Sequence, residues 1–265
     1  MDYSKGNAFK EVGEAKKAKP ASVEEEDVSV EAVAGYSKGD GDKLPKAFVV
    51  IFSGGNVREL DYFKLVKVHP SLFPMLKLKI LPEDRYYSQH EPRVFSYAEA
   101  ETKAFKDSAS SEHPDDYYVV TDVDVFMPHI ISFKPRLELQ GIKMMVSNPC
   151  FEVWLYYSRR TDKFEGFVAP ENPDAISSEV KRFVHQTTGG INPAKALYNI
   201  ATSIKNARTT YVVDTNGIPA LFSTNLFVLA ERIQPLLKNG LEVLQKKEEE
   251  RIAYYKSRQS APLSS

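Results

Sequence analysis

Ala47-Phe48-Val49-Val50-Ile51-Phe52 is an unbroken apolar run set between Lys46 and the turn Ser53-Gly54-Gly55. A short stretch without polar alternation, rich in β-branched and aromatic residues and stopped by glycines, predicts a strand buried on both faces. Outward from it, elements of alternating type follow. Val57 to Val68 places Leu60, Phe63, Leu65 and Val66 along one helical face. Leu76 to Leu81 predicts a second strand, with Leu76, Leu78 and Ile80 on one side and a stop at Pro82. Ser96 and Glu99 have the capping-box spacing, which predicts a helix starting there and running to about Lys106. Tyr117 to Thr121 is a third strand that runs into Asp122-Val123-Asp124. Ile142 to Val146 is a fourth that leads into Ser147-Asn148-Pro149, with Asn148 expected as N-cap and Pro149 as the first helical residue. This alternation predicts an α/β fold whose mainly parallel four-stranded sheet is flanked by helices.

The second half is more helical. Ile176, Val180, Phe183 and Val184 fit one helix; a second starts at Asn192-Pro193 and aligns Leu197, Ile200, Ala201 and Ile204. Thr224 is expected to cap a helix through Leu237 that Gly240 ends. Leu241, Leu244, Ile252 and Tyr255 fit a last one. These additional C-terminal helices are expected to pack on the sheet or form a small appendage. At the other end, residues 1–45 hold 7 Lys, 10 Asp or Glu and three aromatics, with no persistent period. Such a segment cannot bury enough apolar surface to offset its ordering entropy, so a disordered N-terminal tail is expected. The division expected is therefore tail 1–45, α/β domain 46–240, and C-terminal helix with a frayed end 241–265.

Composition excludes several classes. One cysteine among 265 residues leaves no intramolecular disulfide framework and no multi-cysteine zinc site. With no recognisable secretory leader, this points to a reducing compartment, and a cytoplasmic location is expected. No apolar stretch approaches the ~18 residues of a membrane span. A net charge of −1 argues against a chain that wraps nucleic acid wholesale. From Lys46 onward, however, 28 basic residues face 26 acidic ones, so the acidity belongs to the tail.

In layered α/β folds ligands gather at the carboxyl ends of the strands, and three polar clusters fall there: Ser53-Gly54-Gly55-Asn56, Asp122-Val123-Asp124 and Ser147-Asn148. Residues i and i+2 of a strand share a side, so Asp122 and Asp124 could aim at one point. Paired carboxylates repel, and a hard divalent cation such as Mg²⁺ relieves the conflict, keeping waters and phosphate oxygens as further ligands. The alternative is a solvated acidic turn. The amides of Gly54 and Gly55 could meet a phosphate at the following helix, or simply make a tight turn, since neither nucleotide-binding fingerprint is complete. Glu59 and Asp61 suit the macrodipole of that helix. Cys150, beside a helix N-terminus, could have a lowered pKa, but no histidine is paired with it in sequence. The five histidines show no metal-ligand spacing. Lys181-Arg182, Lys195, Lys205 and Arg208 could form a basic face for phosphates or be ordinary solvated charges.

The octapeptide Ser147-Asn148-Pro149-Cys150-Phe151-Glu152-Val153-Trp154 resembles the hallmark of the RloB-like family, bacterial proteins found with restriction and phage-abortive-infection loci. Arg58-Glu59-Leu60-Asp61-Tyr62-Phe63 and Asp122-Val123-Asp124 agree in order and spacing, as do the Ala207 region and Ser223-Thr224-Asn225. The resemblance spans roughly residues 47 to 240. It implies a relation to Toprim domains, the metal-dependent module of topoisomerases, primases and overcoming-lysogenization-defect nucleases. An Asp-x-Asp after the third strand would hold Mg²⁺ or Mn²⁺, which carries over to Asp122 and Asp124. A glutamate after the first strand would act as acid/base, but Ser53 stands there. Glu59, matching a second family glutamate, and Glu152 are the carboxylates that could replace it. The resemblance thus implies a Mg²⁺-dependent, Toprim-like nuclease in antiphage defence, with nucleic acid and a partner ATPase as partners. Ser53 supports the alternative of a catalytically degenerate binding or regulatory subunit.

Overall fold

The computed structural model describes residues 47–55, 57–81 and 93–259. The 1–45 tail, Asn56 and the proline stop at Pro82 lie outside the described residues. The chain forms β1 (Ala47–Ser53), α1 (Arg58–Tyr62), α2 (Lys64–Val68), β2 (Leu76–Leu81), α3 (Arg93–Asp107), β3 (Asp116–Asp122), α4 (Met127–Leu139), β4 (Ile142–Ser147) and α5 (Glu152–Tyr157). Then come α6 (Ile176–Thr188), α7 (Pro193–Ala196), α8 (Ile200–Thr210) and α9 (Phe227–Gln259).

All strand pairings are parallel, in the order β2-β1-β3-β4. Every residue of β1 is buried, as its unbroken apolar run requires. Its side chains alternate: Ala47, Val49 and Ile51 join one core with α1, α2, α5, α6, α8 and α9, while Phe48, Val50 and Phe52 join another with α3 and α4. Because β2 lies on one side of β1 and β3 on the other, the chain reverses its direction of travel across the sheet between β1 and β3. That reversal opens a crevice at their carboxyl ends.

Several sequence expectations change. Ser96 lies inside α3, which begins at Arg93, so it caps nothing; Glu99 instead accepts from Arg136 at 2.8 Å and Gln140 at 3.2 Å. Helix α4 is not foreseen by the local pattern, because Pro128 and Pro135 obscure it; one sits in its first turn and the other in its interior. The helix after β4 begins at Glu152, not Pro149. The Asn148–Pro149 bond is cis, and the Asn148 side chain donates to Pro219 O at 2.8 Å. Gly240 does not end a helix: α9 runs through it for 33 residues. A Cβ on Gly240 would come within 2.4 Å of the Phe73 ring and 2.5 Å of Leu72 O, so glycine serves close packing.

Strand β4 is an edge, and Ser223-Thr224-Asn225 covers its end. Asn225 accepts from Val146 N at 2.6 Å and donates to Met144 O at 2.9 Å, while its own amide donates to Val146 O. Ser147 and Thr224 share a hydroxyl hydrogen bond of 2.9 Å. One asparagine thus does the work of a neighbouring strand and blunts the edge.

Candidate functional site at the carboxyl ends of β1 and β3

The crevice is built by two of the sequence segments singled out above. In α1, Tyr62 is buried against Phe151 and Trp154, with ring centroids 5.8 and 6.1 Å away. One turn earlier on the same face, Glu59 is carried inward and is only 5% exposed. Helix α5 is buried along its whole length and starts with Glu152, 7% exposed. The aromatic contacts between Tyr62, Phe151 and Trp154 fix the two segments against each other, and with them the two glutamates.

Asp122 closes β3 on the side that Tyr118 and Val120 present to the α1 and α5 core. Its Oδ1 is sealed from solvent and, among the described residues, has no hydrogen-bond partner. Burial, then the negative charges of Glu59 and Glu152, push the Asp122 carboxyl well above the ordinary carboxylate range; Lys181 opposes this and Asp124 adds a smaller push. Burial, with Glu152 adding to it, raises Glu59 to about 7 against the pull of its own backbone amide, Lys181 and Arg58. The shared-side argument for Asp122 and Asp124 stops at the strand end. Asp124 is exposed, with φ at 26°, and begins a short 3-10 turn whose amide donates to Pro149 O at 3.1 Å. Its charge still reaches Asp122.

The glycine turn serves packing. Gly54 N donates to Val120 O at 2.6 Å, extending the sheet, so that amide is committed and not turned toward a phosphate. A Cβ on Gly55 would overlap the Glu59 carboxylate, so the glycine makes the space that lets Glu59 fold back over the end of β1. Ser53 is buried and its hydroxyl donates to Gly55 O. Cys150 is buried, and burial with the charges of Glu152 and Asp122 holds its thiol well above the ordinary range, the reverse of an activated nucleophile.

Two cations join the cluster that sequence did not single out for it. Arg58 Nε lies 3.5 Å from Glu152 Oε1. Partial desolvation would lower the Lys181 ammonium, but Glu152, Cys150, Asp122 and Asp124 outweigh that and raise it. The available signal was the stripe Ser177, Lys181, His185 at every fourth position of an otherwise apolar-faced helix. Of the two readings of the later basic residues, solvated charges fit better: Arg182 pairs with Glu179, Lys195 with Glu248 and Arg208 with Glu231. His129 is exposed.

A buried, unpartnered carboxylate oxygen beside further carboxylates costs several kcal/mol unless a proton or cation compensates it. Mg²⁺ suits such a place because it takes one or two protein carboxylates and leaves its other positions to water and phosphate oxygens. Among the described residues no group of three or more His, Cys, Asp or Glu side chains is placed to hold a metal ion. No helix there is long and apolar enough to cross a membrane.

These features define an α/β protein with a carboxylate cluster, flanked by two cations, in the crevice where its parallel sheet reverses. The RloB-like protein family model matches residues 49–231, and the chain belongs to that family. No curated protein and no solved structure matches it.

Proposed function

We propose that this RloB-like protein is a Mg²⁺- or Mn²⁺-dependent, Toprim-like nuclease acting on nucleic acid in antiphage defence, in the cytoplasm and under the control of a partner ATPase. The observation that carries the reading is Asp122 Oδ1, buried and unpartnered beside Glu59, Glu152 and Asp124. Asp122 and Asp124 would hold the cation, which when bound supplies Lewis acidity at a phosphoryl oxygen and a more acidic water. Glu59, a buried carboxylate raised to about 7 in the metal-free protein, is the candidate for the acid/base place where Ser53 stands. Glu152 keeps Arg58 at the rim of the crevice and is the second candidate for proton transfer. Lys181 offsets part of the carboxylate charge.

The test is incubation of the purified protein with single- and double-stranded DNA and RNA, with and without Mg²⁺ or Mn²⁺. Cleavage that needs the cation and disappears in Asp122→Asn and Asp124→Asn is the expected result. Absence of such cleavage on every substrate sinks the reading. One observation favours the second reading, a binding or regulatory subunit without turnover: the Ser53 hydroxyl is already used within its own turn, by Gly55 O. That reading predicts nucleic-acid or partner binding in the absence of any metal-dependent cleavage.

A further inference from the structure

Beside the carboxylates, a cavity of about 300 Å³ is walled by α1, α5, α6 and the loop that follows α6. Arg58, Glu152, Leu155, Lys181, His185 and Gly190 line it. Its volume is at the lower end of small-ligand pockets, enough for a phosphate with part of its sugar. The charge is uneven. Two permanent cations face one carboxylate, and that carboxylate, Glu152, is already engaged by Arg58 at 3.5 Å. Arg58 is half-exposed, and Lys181 is exposed to solvent yet within the field of Asp122. Gly190, with φ at 83°, lets the loop close over the His185 ring, and its amide donates to His185 O at 3.0 Å. An acid cluster on one side and a cation-lined hollow on the other is the charge pattern of a phosphodiester chain with a metal ion at one of its phosphates. Arginine recognises phosphate through its fork of N–H donors, and lysine does so as a point charge.

We propose that this cavity is a subsite that seats a phosphate of the nucleic-acid strand adjacent to the one presented to the carboxylates, with Arg58 and Lys181 as its ligands. The proposal rests on the nucleic-acid reading above and concerns binding, so it is tested without cleavage. Anisotropy of a labelled short single-stranded DNA is titrated at increasing salt in chelator. Each lost phosphate contact should flatten the slope of log K against log salt by ~0.7. Arg58→Gln and Lys181→Gln should each show that loss, and Lys181→Arg should restore the slope. Lys103→Gln, on α3 across the sheet, should leave it unchanged. Thermal melting of each variant confirms that it is folded. A wild-type protein that does not bind, or Arg58 and Lys181 variants that keep the wild-type slope, overturns the proposal. Loss of slope in a protein that never cleaves leaves the subsite standing and removes the nuclease reading. Cleavage with unchanged slopes does the opposite.

Discussion

Replacing Glu59 by glutamine removes one negative charge from the buried cluster while nearly keeping its shape. Glu59 is 5% exposed and its carboxyl is raised from 4.5 to about 7. Between those two values the folded protein holds a proton that the unfolded chain has released, so stability falls as pH rises across the window. A shift of this size corresponds to about 3 kcal/mol, fully absent below pH ~4.5 and fully present above ~7. Glu59→Gln cannot ionise, so it should match wild type in acid and exceed it by up to that amount at pH 8. In a domain of this size the gain should appear as a melting temperature higher by roughly 6–12 °C. Removing Glu59 also removes the largest carboxylate push on Asp122, which acts in the same direction. The assay is urea unfolding of both proteins at pH steps from 4 to 8, roughly, in chelator so that no cation neutralises the cluster. Stability curves that run parallel over the whole range would refute the reasoning, as would a glutamine variant that is less stable at every pH.

If Asp122 holds a cation, Mg²⁺ at ~100 times its Kd should add about 2.7 kcal/mol to wild type near pH 8 and little to Asp122→Asn; equal thermal shifts in both would contradict it. Gly240→Ala tests whether packing outweighs propensity. Alanine should favour the helix by ~1 kcal/mol, but overlap with Phe73 and the backbone oxygen of Leu72 should cost ~1–3 kcal/mol and win, and a stabilised variant would show that the contact is slack. Asn225→Ala removes the side-chain bonds to Val146 N and Met144 O and should cost about 2 kcal/mol in urea unfolding, with no loss meaning that water replaces them at the edge.

Element type was legible wherever a local pattern was strong. The four strands lie on their apolar runs, and Ile176, Val180 and Val184 do lie along one face of α6. Punctuation was less legible, because one residue type serves several ends. Gly240 has the look of a helix stop and is a packing contact; Ser96 has the look of a cap and lies within a helix. Spacing within a strand pairs Asp122 with Asp124, yet the strand ends between them. Only family resemblance makes Glu59 and Glu152 candidates for the site, since nothing local distinguishes a buried glutamate from a solvated one. Sequence offers Lys181 only as part of a basic face for phosphates or as a solvated charge, with nothing that joins it to the carboxylates.

The sequence by itself determined that a doubly buried first strand heads a parallel α/β sheet, that polar residues end its strands, and that Ser53 stands where family resemblance expects a carboxylate. Local periodicity and composition suffice for the first two, because each depends on neighbours in the chain; the third comes from the resemblance. Only the tertiary structure decided that β3 lies beside β1, which sets Asp122 next to the turn over which Glu59 folds. It also decided that Tyr62, Phe151 and Trp154 lock the two glutamate-bearing helices together, and that Lys181 comes from α6 to meet them. Strand order and burial arise from contacts between residues dozens of positions apart. They turn scattered acidic side chains into a cluster whose charges shift one another.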